Sequence, residues 1–145
     1  MKNKVKKIVN SFVLPVLLTT VLFMCILIAK DGMYLIGIPE IDEVQKVTIS
    51  YPSVNDQGKE ITDDEHIELA VKLTGFLKYA LFERSDDNEE PIINITYFTS
   101  DGSEISVSAN RETVWWKGKA YALKDDETFI NLTESIFYLS DLVSY

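Results

Sequence analysis

The sequence predicts an α+β protein in which an N-terminal transmembrane helix precedes a small antiparallel sheet with helices packed on one face. Two observations predict this class: an uncharged run of 18 residues near the start, and later segments whose apolar residues recur every second residue or with helical spacing. The 145 residues are enough for one domain. The single cysteine excludes an intramolecular disulfide framework and a Cys-rich zinc site.

The uncharged run extends from Phe12 to Ala29, and four lysines precede it. About 18–20 apolar residues are sufficient to cross the hydrocarbon core of a bilayer as an α-helix. The positive-inside rule assigns residues 1–11, the basic segment, to the cytoplasm and the chain after Lys30 to the outside. We therefore predict a single-pass plasma-membrane protein with membrane lipid around residues 12–29 and an extracellular C-terminal domain.

Three other interpretations of this run are open. A cleaved signal peptide would need a site near Ala29, where Leu27 replaces the usual small residue. A lipoprotein signal would acylate Cys25, but Met24 is bulky and the apolar run continues beyond the cysteine. A buried core helix is disfavoured by the basic flank and the lack of an amphipathic pattern. An uncleaved signal-anchor fits the residues best.

The charges divide the chain into two parts. Nine of the 14 basic residues and all 23 acidic residues lie in residues 31–145, so this part has a net charge of −14. Nucleic-acid binding relies on clustered Lys and Arg, and we therefore expect no nucleic-acid partner. An acidic domain favours cationic partners, such as a basic protein or a cationic peptide.

Residues 30–43 contain two glycines and a proline and are predicted to form a tether, followed by an α+β domain over residues 44–145. Within that domain, alternation, caps and turn residues predict the element order β-α-β-β-β-β-α. The predicted segments are a strand at 44–51, a loop at 52–59, a helix from 62 or 63 to about 82, strands at 93–98, 105–109, 113–116 and 119–123, and a helix after 125 or 126.

Motifs for catalysis are missing from the sequence. Its one histidine, His66, has no second histidine or cysteine as a zinc partner, and no phosphate-binding glycine loop or GxSxG motif occurs. Paired carboxylates are numerous, but each pair falls in a predicted loop or helix cap, where acidic residues are common. We expect no enzymatic activity, no cofactor and no metal; a hydrolase that uses clustered carboxylates is the alternative.

Trp115 and Trp116 are the most distinctive pair. Adjacent strand residues face opposite sides of a sheet, so one ring is expected in the core and the other on the second face, with Tyr121 or Phe98 nearby. We interpret Trp115, Trp116 and Tyr121 as candidate partner-binding residues. The structural alternative is that the outer ring only shields the hairpin or is covered by a loop.

Several segments resemble small uncharacterised, membrane-anchored extracytoplasmic domains of Gram-positive bacteria, a family of unknown function. They are the basic-flanked anchor, IPEIDEVQKVTISY at 38–51, TDDEH at 62–66 and VWWKGKAYALKDDETFINL at 114–132. The resemblance implies an extracytoplasmic location and no known catalytic residues. We expect a non-enzymatic envelope protein whose acidic domain binds a protein or peptide partner, or alternatively a structural accessory subunit of a membrane complex.

Overall fold

The computed structural model describes residues 2–53, 55–85, 89–124 and 127–137. Over these residues the protein is α+β, with an apolar N-terminal helix and an antiparallel sheet, as predicted. The elements in chain order are α1 (Lys2–Asp31), β1 (Met33–Tyr34), a 3₁₀ helix (Ile41–Glu43), β2 (Val44–Tyr51), β3 (Asn55–Ile61), α2 (Asp64–Gly75), β4 (Lys78–Tyr79), β5 (Ile93–Thr99), β6 (Glu104–Ala109), β7 (Thr113–Trp116), β8 (Lys119–Ala122) and α3 (Thr128–Phe137).

The first helix is long and apolar enough over Ser11–Asp31 to cross a membrane, and none of that stretch is buried against the rest of the chain. The hydroxyl groups of Thr19 and Thr20 donate to the carbonyl oxygens of Pro15 and Val16, at 2.6 and 2.9 Å. These bonds satisfy two polar side chains inside the apolar stretch. Because α1 begins at Lys2, Pro15 lies in its interior and not near its first turn.

Six antiparallel strands form the main sheet, in the spatial order β3-β2-β5-β6-β7-β8. Alternate residues of its central strands are buried on one face and belong to one hydrophobic core cluster that also contains residues of α2 and α3. The large apolar strand residues that are fully buried are Val47, Ile49, Ile93, Ile95, Tyr97, Val107 and Val114. The opposite face carries polar residues such as the half-buried Thr96 and the exposed Ser106, whose hydroxyl groups lie 3.0 Å apart.

The predicted strand order is wrong at the segment 52–59, which was expected to be a loop. Residues Asn55–Ile61 form the edge strand β3, and Ile61 pairs with Val47. Gly58 has a φ of +70°, and the register between β2 and β3 shifts next to it. A Cβ at Gly58 would lie 3.0 Å from the carbonyl oxygen of Ile49. An edge strand can consist mostly of polar residues, because its backbone hydrogen bonds to the neighbouring strand need no apolar side chains. Such a strand has no hydrophobic period by which the sequence could predict it.

Residues 30–43 do not form a free tether. Met33 pairs with Tyr79, the Leu35 amide donates to the Leu77 carbonyl at 3.3 Å, and Leu35 is only 7% exposed. The same pairing corrects the predicted end of the second helix, since α2 stops at Gly75 and the chain continues as β4. A helix to residue 82 would lose these backbone bonds to β1.

The helix α2 is joined to the sheet by one buried hydroxyl group. Tyr97 Oη donates to the carbonyl oxygen of Ala70 at 3.0 Å and lies 2.5 Å from Thr74 Oγ1. A phenol has one hydrogen, so Thr74 is the donor in the second bond. Burial raises the pKa of Tyr97, which keeps this hydroxyl group neutral and able to donate.

The β5–β6 hairpin is closed by the side chain of Asp101. Its carboxylate accepts hydrogen bonds from the Thr99 hydroxyl group at 2.6 Å and from the Ser103 amide at 2.9 Å. These bonds lower the pKa of Asp101. The β7–β8 hairpin turns at Lys117 and Gly118, which have φ values of 50° and 72°. Both hairpins agree with the turn residues in the sequence.

Candidate functional site

A groove of about 920 Å³ lies between the N-terminal segment of the domain and α2. One wall is formed by residues 35–44 and the other by one side of α2. The buried side chains of Leu35, Val44 and Ile67 are among its apolar lining residues. Four carboxylates also line it, from Glu40, Asp42, Asp64 and Glu68, and no lysine or arginine is among the described lining residues.

The first wall is shaped by a proline and a short helix. Pro39 favours an extended conformation for Ile38, and the 3₁₀ helix begins directly after Glu40. Glu40 and Glu43 bond reciprocally in a capping box, with the Glu40 amide 3.2 Å from the Glu43 carboxylate. These contacts stabilise the short helix, and Asp42 within it lines the groove.

The second wall begins at a well-defined helix N-terminus. Asp63 caps α2 by accepting from the His66 amide at 3.0 Å, and its carboxylate also lies 2.5 Å from His66 Nδ1. The bonds from the His66 ring and amide lower the pKa of Asp63. Asp64, Glu68 and Val71 then lie on one side of the helix, because residues three and four apart share a face.

The four lining carboxylates, called the rim carboxylates below, differ in the contacts that they make. Glu68 forms an ion pair with Lys72 one helical turn later, and both side chains are about half exposed. Asp42 and Asp64 have exposed positions in the lining. At the far end Gly75 lines the groove, and a Cβ there would meet no atom within 4 Å. The groove is therefore negative along its rim, apolar at its base, and open beside Gly75.

The hairpin β7–β8 supports the first wall from below. Lys117 Nζ donates to the carbonyl oxygen of Ile36 at 3.0 Å and lies 5.2 Å from the centre of the Trp116 ring. Gly37, with a φ of +89°, lies so close that a Cβ would be 2.8 Å from Lys117 Nζ. The turn at Lys117 thus fixes the position of the segment that forms the wall.

The structure places the three predicted partner-binding residues in different environments. Trp116 is 4% exposed and belongs to the core, so it presents no surface to a partner. Trp115 lies half-buried on the opposite, polar face of the sheet. Tyr121 pairs with the buried Val114, and its ring contacts that of Tyr79, with centroids 4.6 Å apart and planes tilted by 50°, so it does not join Trp115. The expected opposition of the two tryptophans is observed, whereas Trp115 and Tyr121 do not form one aromatic surface.

Phe98, the other expected neighbour of Trp115, lies on the same face of the sheet but not next to Trp115. Trp115 is aligned with Asn94 two strands away through β6, and Phe98 lies four residues further along β5, about 13 Å from Asn94 at strand spacing. Lys46 Nζ covers the Phe98 ring at 4.5 Å from its centre. The binding role of Trp115 stays a prediction.

The carboxylate pairs considered for a hydrolase can be placed only in part. Asp86, Asp87, Asp125 and Asp126 lie outside the described residues. Within the described part of the chain, no group of three or more potential metal ligands occurs. Asp63 has a lowered pKa, the reverse of the raised pKa that a general acid needs.

The groove is not among the sites that the sequence pattern predicted. A local signal was present, because Ile38, Ile41 and Val44 alternate with acidic residues in the segment that was predicted to be a tether. This pattern alone could not indicate a groove, because the opposite wall is formed by α2, which only the fold brings next to this segment. No protein-family model, no curated protein and no solved structure matches the chain.

Proposed function

We propose that the protein is a non-enzymatic, single-pass envelope protein whose extracellular domain binds a cationic, amphipathic peptide segment of a partner in the groove beside α2. The observation that supports this function is the combination of an apolar base with four rim carboxylates and no basic residue among the described lining residues. Such a surface is complementary to a segment with apolar residues on one face and Lys or Arg on its flanks.

The location of the domain follows from the charges around α1. Four lysines precede the apolar stretch, and the part of the chain after residue 30 has a net charge of −14. The proposed orientation therefore has the N-terminus in the cytoplasm, the helix in the plasma membrane and the domain outside the cell. The resemblance to Gram-positive envelope domains is a further part of the proposal and agrees with this location.

Both helices are proposed to cover the same face of the sheet. Tyr97 and Ile49 are buried in that face, Tyr97 bonds to α2, and Lys59, the partner of Ile49 in β3, donates to the Phe137 carbonyl of α3 at 3.4 Å. In this arrangement the half-buried Trp115 lies on the sheet face away from both helices. The groove nevertheless supports the binding function better, because it combines concave shape with charge.

Binding can be measured with the full-length chain in phosphatidylcholine nanodiscs. The probe is a fluorescein-labelled Lys/Leu peptide that forms an amphipathic helix, and a Glu/Leu peptide of the same pattern is its control. We expect saturable binding of the Lys/Leu peptide and none of the Glu/Leu peptide. Empty nanodiscs report binding to lipid alone, and added salt should weaken the binding to the protein.

A triple variant tests the rim. Neutralisation by Asp42→Asn, Asp64→Asn and Glu68→Gln should weaken binding about tenfold, since exposed ion pairs contribute about 0.5 kcal/mol each. The matched control neutralises three exposed acids outside the groove, Glu90→Gln, Glu104→Gln and Glu112→Gln. An equal loss in both triple variants would mean that net charge alone attracts the peptide, and the proposed groove function would be wrong.

A further inference from the structure

The described residues after α1 include seven large apolar side chains that are exposed to solvent. Five of them are Tyr34 in β1 and four residues within three positions of β1 or β4: Ile36, Phe76, Leu81 and Phe82. Phe76 and Phe82 are each 72% exposed. Clustered exposed apolar side chains of this kind mark an interaction surface.

The most distinctive part of this surface is a turn with an apolar tip. The Glu83 amide donates to the Ala80 carbonyl at 3.3 Å, so Leu81 and Phe82 are the two central residues of the turn. Turns in water usually carry Gly, Pro, Asn or Asp at such positions. Two backbone hydrogen bonds join the turn to Ala122. The Ala80 amide donates to the Ala122 carbonyl at 2.8 Å, and the Ala122 amide donates to the Glu83 carbonyl at 3.2 Å.

The antiparallel pairing determines where this turn points. The helix α1 ends at Asp31, two residues before Met33, and Met33 pairs with Tyr79. Because β4 runs opposite to β1, the chain after Tyr79 returns toward the end of α1. Leu81 and Asp31 therefore each lie two residues beyond the Met33–Tyr79 pair, on the same side of it. Gly32 lies at this junction, and a Cβ there would be 3.0 Å from the Tyr79 carbonyl.

The charges around the turn differ from those of the whole domain. Four basic side chains lie near it in the chain or in the fold, Lys30, Lys78, Arg84 and Lys124, against two acidic residues among its described neighbours, Asp31 and Glu83. Lys78 Nζ lies 4.7 Å from the centre of the Tyr34 ring, and Lys124 Nζ lies 3.5 Å from a Glu83 oxygen. Basic groups beside exposed aromatic rings suit the headgroup region of an anionic bilayer.

We propose that Leu81 and Phe82 insert into the outer headgroup and upper acyl region of the bilayer beside the end of α1, as a second membrane contact that fixes the orientation of the domain. This inference rests on the proposed membrane location of α1. The occupant is lipid because the turn lies at the level where the apolar helix ends. Insertion orients the domain relative to the bilayer and so determines how a partner reaches the groove.

The test uses the full chain in vesicles of phosphatidylcholine with a minority of phosphatidylglycerol. In a Cys25→Ser background, single cysteines are introduced by Phe82→Cys, by Leu132→Cys as an exposed apolar control on α3, and by Leu22→Cys as a reporter within α1. Each is labelled with the polarity-sensitive dye NBD. Lipids with a doxyl quencher near the headgroup report insertion at residue 82, and lipids with a doxyl quencher near the end of the acyl chain report residue 22.

We expect the label at residue 82 to emit at shorter wavelength than the label at residue 132 and to lose about half of its intensity with the doxyl lipids. If residue 22 is quenched but residue 82 behaves like residue 132, the turn does not insert and the inference is wrong while the anchor stands. If residue 22 is not quenched either, the membrane location itself fails, and the inference with it. A blue shift at residue 82 without lipid quenching means that protein covers the turn, which also overturns the inference.

Discussion

The hydroxyl group of Tyr97 provides the sharpest test of how α2 is held on the sheet. The side chain is fully buried, and Tyr97→Phe removes one oxygen while the ring remains. Two hydrogen bonds are lost, each with a net contribution of about 0.5–1.5 kcal/mol. The Thr74 hydroxyl can turn to the Ala70 carbonyl four residues earlier and recover part of this. We expect the free energy of unfolding to fall by about 1–2 kcal/mol.

Unfolding by urea can be followed by tryptophan fluorescence of the full chain in mild detergent micelles. Both tryptophans lie in β7, so the signal reports the sheet and not α1. The urea midpoint should fall while the slope of free energy against urea stays constant. Tyr34→Phe is the matched control, because Tyr34 is half exposed and its change should cost less than about 0.5 kcal/mol.

A double-mutant cycle isolates the bond between the two hydroxyl groups. Thr74→Val alone removes the donor to Tyr97. The free energy of unfolding of the double variant should be about 1 kcal/mol higher than the value expected if the two single losses were additive. The reasoning is refuted if Tyr97→Phe costs no more than Tyr34→Phe, or if Tyr97→Phe and Thr74→Val are simply additive.

Three further predictions use the same unfolding assay. Gly58→Ala should destabilise the protein by about 1–3 kcal/mol, because Gly58 has a positive φ and a close backbone contact. Gly75→Ala should stabilise α2 by about 0.5–1 kcal/mol, because a Cβ there meets no atom and alanine favours the helix. Changes of the opposite sign would refute the assigned geometry. Asp101→Ala should be less stable than the wild type near neutral pH. Since the folded pKa lies below 3.8, that difference is present above this pH and should disappear as the pH falls through the lowered value. Trp116→Ala should cost about 3–5 kcal/mol and Trp115→Ala clearly less, and equal losses would contradict their opposite faces.

Central strands could be predicted well from the local pattern. Ile93, Ile95 and Tyr97 alternate with polar residues in the sequence, and all three are fully buried in the structure. The side-chain period of a strand is two, so one buried face is sufficient to reveal it. The same reasoning predicted that Trp115 and Trp116 face opposite sides, although it could not tell which ring enters the core.

Edge elements could not be predicted in this way. β3 is polar and β4 has only two residues, so neither has a hydrophobic period. Their existence depends on backbone bonds to β2 and β1, which come from distant parts of the chain. The helical pattern that continued past Gly75 was overridden by these bonds, because tertiary pairing outweighs the small propensity differences of single residues.

The amino-acid sequence alone determined the apolar helix, the α+β class and the acidic character of the domain, because each depends on composition or on neighbours within a few residues. Only the tertiary structure brought Asp42 and Glu68 to the same groove and turned Leu81 and Phe82 back toward the end of α1. Local patterns specify which side of an element is buried. They do not specify which distant element covers it, since that choice is made by the packing of the whole chain.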